Sequence, residues 1–372
     1  MRIVLAPDKF KGSLTGAGVA AALAEGLREV RPDLDLTLLP VADGGEGTVA
    51  AAVSAGYDRR WVTAAGPTGA PLSAPYAMLG PRAVVELAAV CGLDLLPGRR
   101  PDPLGASTYG LGQVLAEAIG AGARDIVLGL GGSASTDGGA GMAQALGAVL
   151  QDASGAELDR GGGALADLDR IDLEVLRRRL AGVRVTVATD VNVPLLGLDG
   201  AAAMFGPQKG ATADDIARLE AGLETWSRLV TLAVGRDESR TPGAGAAGGT
   251  GFAALALLDA TLRSGIELIL ELVGFADAVR GADLVITGEG SLDAQSLTGK
   301  APLGVTAAAR RAGVPVVAVA GRNLLGPEQL RDAGFAGAYS LMALEPDVDR
   351  SMARTPKLLR QLGRWIAREW AV

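Results

Sequence analysis

The chain has 372 residues, including 54 Gly, one Cys and no His, and its 35 basic and 42 acidic side chains give a formal charge of −7. That length calls for two domains whose cores need no disulfide or structural metal. Without His, and with Cys91 as the only thiol, a Ser-His-Asp triad, HExxH and CxxC metal sites and histidine proton shuttles are excluded, so a general base must be a carboxylate or a lysine.

The segment Arg2–Ala6 predicts a buried strand, followed by a helix capped by Ser13 or Thr15 with Val19, Leu23, Leu27 and Val30 on one face. Leu36–Val41 is the next strand. From Trp61 to Pro81 an uncharged, Pro-rich stretch breaks the strand–helix rhythm. Asp125–Leu130 predicts a strand that runs through a glycine-rich connection into a helix over Met142–Leu150, and Arg184–Ala188 predicts another strand. Thr212 and Asp215 form a capping-box pattern for a helix with Ile216, Leu219, Leu223, Trp226 and Val230 inward, closed by Gly235. Asp283–Thr287 and Pro315–Ala320 are further strands. The helix over Pro356–Trp370 sets Leu358, Leu359, Leu362, Trp365 and Ile366 on one face. This alternation predicts an α/β protein: a Rossmann- or flavodoxin-like parallel-sheet domain from residues 1–60 plus 280–372, and an inserted α/β domain over 61–279.

No long basic run is present, so neither nucleic acid nor a membrane surface is expected as a partner. The apolar start meets charge at once, and the uncharged stretches 61–81 and 241–258 are broken by Pro and Gly; a cytoplasmic protein is expected. Thirty of the basic residues are Arg, so each of the five Lys marks a position suited to a compact ammonium. Lys9 and Lys11 (APDKFKGSL), Lys209 (FGPQKGAT) and Lys300 (LTGKAP) all stand in glycine-bearing loops, whereas Lys357 is on a helical surface.

Those loops carry the predicted chemistry. Residues 129–141 (GLGGSASTDGGAG) join a strand to a helix, where backbone amides and the helix dipole can cradle phosphate, with Ser133, Ser135 and Thr136 as added donors. Gly129, Gly131 and Ala134 also fit G-x-G-x-x-A, which raises a nucleotide-dependent oxidoreductase, although no clear acidic residue ends the next strand. VADGGEGT (41–48) sets Asp43 and Glu46 among glycines, a pattern for Mg²⁺ or a hydroxyl-bearing substrate. Residues 287–304 carry Glu289, Asp293 and Lys300, an acid pair and a lysine able to handle metal and phosphate together. The glycine run 242–252 permits close backbone approach. With no His, Asp190 is the first candidate for general base, since it follows Arg184–Ala188 and precedes the Pro194 turn; Glu289 is the alternative.

Seven ordered blocks (APDKFKGSL, VADGGEGT, STYGLG, GGSASTDGGAGMAQALG, FGPQKGAT, PGAGAAGG and TGEGSLDAQSLTGKAP) resemble the bacterial glycerate kinase family, glycerate 2-kinase type, from Ile3 to about Gly321. The resemblance implies ATP- and Mg²⁺-dependent phosphorylation of D-glycerate, usually at the 2-hydroxyl, by two α/β domains with the active site in their cleft. The expected site then comprises Asp190, Lys11, Lys300 and Glu289 as catalytic groups. Asp8, Lys9, Asp43, Glu46, Gly131, Gly132, Ser133, Asp137, Lys209, Gly288 and Asp293 are expected to contact substrate or nucleotide, with Glu289 and Asp293 holding Mg²⁺. Three positions depart from the family pattern: Lys9 stands for Ser, Thr136-Asp137 for Asn-Asp, and Val193 for the Asn of D-V-x-N-P-L. The aromatic content of 3% offers no evident stacking box for adenine. The expected partners are D-glycerate and ATP, and a homodimer is allowed. The alternatives are a glycerate 3-kinase, an oxidoreductase, or a non-catalytic solute-binding protein.

Overall fold

A computed structural model describes residues 1–298 and 300–371. Among these lie thirteen strands: β1 (Arg2–Pro7), β2 (Asp35–Leu38), β3 (Asp58–Ala65), β4 (Pro71–Leu79), β5 (Arg82–Glu86), β6 (Asp125–Gly129) and β7 (Val149–Asp152). There follow β8 (Leu168–Asp172), β9 (Arg184–Ala188), β10 (Thr261–Arg263), β11 (Leu284–Leu292), β12 (Val316–Asn323) and β13 (Gly337–Ser340). The chain divides into two compact units. One holds Met1–Asp43, Ala50–Gly56 and Ile266–Val372; the other holds Gly44–Val49 and Tyr57–Gly265. The later boundary therefore falls at 265/266, ahead of the expected 279/280. Ile266, Ile269, Leu270 and Phe275 join the core around Val4 and Val285, which draws their helices into the first unit.

The first unit is built on a five-stranded parallel sheet in the order β13-β12-β11-β1-β2. Apolar clusters cover both of its faces. Val4, Ala6, Val285 and Val316 pack on one side with Val305 and Ala309, while Ile3, Leu5, Ile286 and Val317 pack on the other with Leu23, Leu27, Leu359 and Leu362. Burial on both faces explains why these strands read as continuous apolar runs. From β1 the chain passes to β2 on one side, and after the second unit it returns as β11 on the other. The β1/β11 junction is therefore the switch point of the sheet, where α/β folds gather ligands at the strands' carboxyl ends. The helix Gly16–Val30 begins as expected, with Gly18 N donating to Thr15 Oγ1 at 3.2 Å. On the helix Thr355–Trp370, Trp365 is 40% exposed instead of inward; it flanks the buried stripe of Leu358, Leu359, Leu362 and Ile366.

The second unit is built on a six-stranded sheet in the order β10-β9-β6-β5-β4-β3, with β7 and β8 as a separate hairpin. Strands β5, β6, β9 and β10 are parallel, and the β3–β4–β5 meander is antiparallel, so β3 points the same way as the parallel set. The Pro-rich stretch is thus β-structure, with Trp61 opposite Pro75. Proline is accommodated because β5 pairs only with Ala77–Leu79, which leaves Pro71 and Pro75 beyond that ladder. The capping box is formed: Thr212 N donates to Asp215 Oδ2 (2.9 Å) and Asp215 N to Thr212 Oγ1 (3.2 Å), opening the helix Ala213–Val234. The helix expected over Met142–Leu150 is shorter, Ala140–Ala145, because the chain turns at Gly147 and Val149 starts the ladder with β8. No described helix is long and apolar enough to cross a membrane.

Candidate active site

In the first unit, three connections meet at the carboxyl edge of β1 and β11. Asp8 N donates to the Gly288 carbonyl at 2.8 Å, and Val41 N to the Pro7 carbonyl at 3.0 Å, which brings the segment after β1 against β11 and the segment after β2 against β1. Gly288 lies within β11, and its carbonyl anchors this contact. Asp8 is only 7% exposed. Lys9 N donates to Asp8 Oδ1 at 2.6 Å, and Lys9 Nζ lies 3.8 Å from the same oxygen. Burial pushes the Asp8 carboxyl up to about 7; the Asp43 and Glu289 carboxylates add to the rise, and Lys9 opposes it.

Glu289, also on β11, is 9% exposed, and burial raises its carboxyl as well, with the Ser296 hydroxyl and Lys300 pulling the other way. Lys300 Nζ stands 3.8 Å from Glu289 Oε2, while Oε1 is buried without a hydrogen-bond partner. Ser291 Oγ donates to Asp293 Oδ2 at 3.1 Å, and Asp293 N to Ser296 Oγ at 3.0 Å, which fixes the turn that leads towards Lys300. The Lys11 side chain is exposed, and its backbone passes beside Gly290 of β11. Asp8, Lys9, Asp43, Gly288, Glu289, Asp293 and Lys300 thus gather at one sheet edge, with Lys11 at its border.

Among the described residues the donors available to a cation here are carboxylate and hydroxyl oxygens, which suit Mg²⁺. The orphaned Glu289 Oε1 is the atom that such an ion would satisfy. Among the described residues no three acidic, His or Cys side chains converge as a ready-made metal site. A Mg²⁺ bound by one or two carboxylates and completed by phosphate and water fits that arrangement.

In the second unit, Gly131 N approaches the Gly44 carbonyl at 3.4 Å, and a Cβ on Gly44 would stand 2.7 Å from the Ala188 carbonyl. The glycines of both loops allow this backbone contact at the ends of β6 and β9. Gly132 is exposed, and Glu46 lies exposed in the 44–49 loop. Ser133 is buried and accepts from Lys209 Nζ at 2.9 Å; that ammonium also donates to the Ser135 carbonyl. At 2% exposure, Lys209 is an internal strut, and burial pulls its ammonium down to about 8. Asp137 is fully buried, and its carboxylate accepts from Ser107 Oγ, Thr108 N, Thr108 Oγ1, Gly139 N and Gly141 N at 2.7–3.3 Å. The amides of Gly139 and Gly141, in the loop expected to cradle phosphate, are engaged by this side chain, and the helix Ala140–Ala145 has only six residues. Asp190 is exposed just beyond β9, with Oδ1 accepting from Gly265 N at 3.1 Å.

Two buried groups escape the sequence reading. Glu86, which ends β5, accepts from Gly47 N and Val49 N at 3.1 Å each and pins the 44–49 loop. Thr108 bridges Asp137 and Met142 N. An acid closing the apolar run of β5 is the one signal that could have exposed Glu86.

The family model for the glycerate kinase family matches residues 3–371. A glycerate kinase of Halalkalibacterium halodurans is 44% identical over 368 residues, 98% of this chain and 97% of its own. A glycerate 2-kinase of Escherichia coli is 45% identical over 326 residues, 86% of this chain and 85% of its own. A crystal structure from Salmonella typhimurium LT2, described as a glycerate kinase 2, matches with a TM-score of 0.85 at 40% identity and covers 99% of this chain and 98% of that one. These matches favour a kinase over the oxidoreductase and solute-binding alternatives. A carboxylate–lysine cluster at the switch point and likeness along nearly the whole length lead to one conclusion: the chain belongs to the glycerate kinase family.

Proposed function

We propose that the protein transfers the terminal phosphoryl group of ATP to the 2-hydroxyl of D-glycerate, using Mg²⁺, in the cytoplasm. The observation that carries this reading is the Asp8–Glu289–Lys300 cluster at the β1/β11 switch point, in a chain 45% identical to a glycerate 2-kinase. Phosphoryl transfer depends on positioning and charge neutralisation more than on covalent chemistry, and lysines in loops beside carboxylates supply both. Lys11 and Lys300 are assigned to the phosphate or the substrate carboxylate. Glu289 and Asp293 would hold Mg²⁺, which when bound neutralises phosphate charge. Asp190 is assigned as the acceptor of the hydroxyl proton: the chain has no His, and the Gly265 amide orients its carboxylate.

Incubation with ATP, Mg²⁺ and D-glycerate, followed by phosphorus NMR, should yield ADP and 2-phosphoglycerate. A 3-phosphoglycerate product, or none, rejects the proposal. Asp190→Asn should remove most of kcat while nucleotide affinity holds. A variant within about threefold of wild-type kcat would transfer the role to Glu289.

A further inference from the structure

The second unit contains a cavity of about 590 Å³ that none of the predicted site residues line. Its walls include the 66–69 turn after β3, Ser107, Tyr109, Gln144, Asp159 and Arg160. The volume is that of a small-molecule site. Its place in the fold is also that of a ligand site. Strands β3, β5, β6 and β9 all point the same way, and the cavity opens where β3 ends and the helix Tyr109–Gly120 begins. That is the carboxyl edge of the sheet, which also carries the glycine loop after β6 and Asp190 after β9. Ser107 ties the wall to the glycine loop, since its hydroxyl donates to Asp137 at 3.2 Å.

The lining has a definite chemistry. The Arg160 guanidinium lies flat against Tyr109, 3.4 Å from the ring centroid. Among the described residues it makes no ion pair, and the Tyr109 ring is what it packs against. Gln144 Nε2 donates to the Leu158 carbonyl at 3.1 Å, which fixes its amide. Glu157 and Asp159 add two exposed carboxylates. A three-carbon acid would fill little of this volume and would meet like charge. A purine nucleoside suits it on every count: guanidinium planes stack on bases, and carboxylates accept from ribose hydroxyls and an exocyclic amine.

We propose that this cavity holds the nucleoside of an adenine nucleotide, with the base stacked on the Arg160–Tyr109 pair and the ribose towards Asp159. The assignment rests on the ATP-dependent kinase reading and adds which unit binds the adenosine end of the donor.

The test is calorimetric titration of the full chain and its Arg160→Ala and Arg160→Lys variants with ADP and, separately, with inorganic tripolyphosphate, which lacks a base. Arg160 is exposed and makes one ring contact, so unchanged melting curves should accompany both substitutions. Both variants should bind ADP at least tenfold more weakly and tripolyphosphate as the wild type does. An ADP affinity within twofold of wild type in Arg160→Ala overturns the site. So does full retention in Arg160→Lys, or an equal loss for tripolyphosphate, since either would make the residue a phosphate contact. A wild-type chain that binds ADP through Arg160 but leaves glycerate untouched would sink the proposed reaction and keep the site. A chain that phosphorylates glycerate while Arg160→Ala binds ADP normally would do the reverse. No ADP binding at all would reject both.

Discussion

Asp8 shares a nearly closed space with the charges of Asp43 and Glu289, so it holds its proton well above the range of a free aspartate, up to about 7. An acid whose pKa is raised on folding binds its proton more tightly in the native state. Its contribution is therefore complete below the unfolded value near 4 and disappears as pH rises to about 7. At about 1.4 kcal/mol per pKa unit the loss is on the order of 4 kcal/mol at most. Asp8→Asn has no proton to give up, so its melting temperature should decline less than that of the wild type between pH 4 and 7.5. Parallel curves would show that Asp8 ionises at no cost. Lys300 makes a different prediction. Its ammonium sits 3.8 Å from Glu289 Oε2, and a guanidinium would spread the same charge over a broad planar fork. Lys300→Arg should therefore lower kcat/KM by at least about tenfold, nearly as far as Lys300→Ala. Steady-state kinetics of the two variants decide it, and wild-type values for Lys300→Arg would remove the residue from the phosphate contacts.

Short connections, more than the regular elements, hold the second unit's ligand edge in shape. Glu86 receives two amides of the 44–49 loop, and Asp137 receives five donors from two segments. Asp137→Ala should cost about 3 kcal/mol or more in urea unfolding, because it strands buried donors. A loss below about 1 kcal/mol would mean that water replaces the carboxylate. The turn Ala247–Gly249 has three consecutive residues at positive φ, and a Cβ on Gly248 would stand 2.1 Å from the Ser135 carbonyl. Gly56 also has positive φ but nothing near it. Gly56→Ala should cost about 1–2 kcal/mol, and Gly248→Ala clearly more, as read from the two denaturation midpoints. Equal costs would mean that the Ser135 loop yields. These elements also mark what a sequence can disclose. The continuous runs of β1, β11 and β12 were readable because both faces are buried. By contrast, β3 is exposed over most of its length, β10 has three residues, and β13 is only half-buried. The lysine and acid loops stood out by composition, but the Arg160–Tyr109 and Asp137–Thr108 pairings join residues tens of positions apart, and no local pattern encodes such meetings.

Each unit has its own apolar interior: one cluster around Trp226 and Phe252 in the second, and two against the faces of the parallel sheet in the first. The sequence ground for an inserted arrangement is the strand–helix rhythm at both chain ends, interrupted by the Pro-rich stretch. The helix Gly265–Leu272 continues the pattern of the segments before it, and its place in the apolar cluster that holds Val4 and Val285 is what joins it to the first unit. The same arrangement imposes an order on biosynthesis. Ile3 is paired with Leu36 on one side and Leu284 on the other, so β1 has β2 early but must wait for its second neighbour, the central strand β11, which is made 281 residues later. At ~5–20 residues per second that delay is roughly 15–55 s. Throughout it the growing polypeptide carries a greasy β1–β2 ribbon open along the edge that β11 later fills, while the intervening segment already has the strands of its own sheet. Stalled ribosomes bearing residues 1–265 should therefore yield, on brief proteolysis, a surviving core from 57–265 and a digested start; the opposite pattern would show that β1 and β2 find shelter early. Crowding during translation, more than the strength of the finished fold, is then the hazard that this topology brings to the cell.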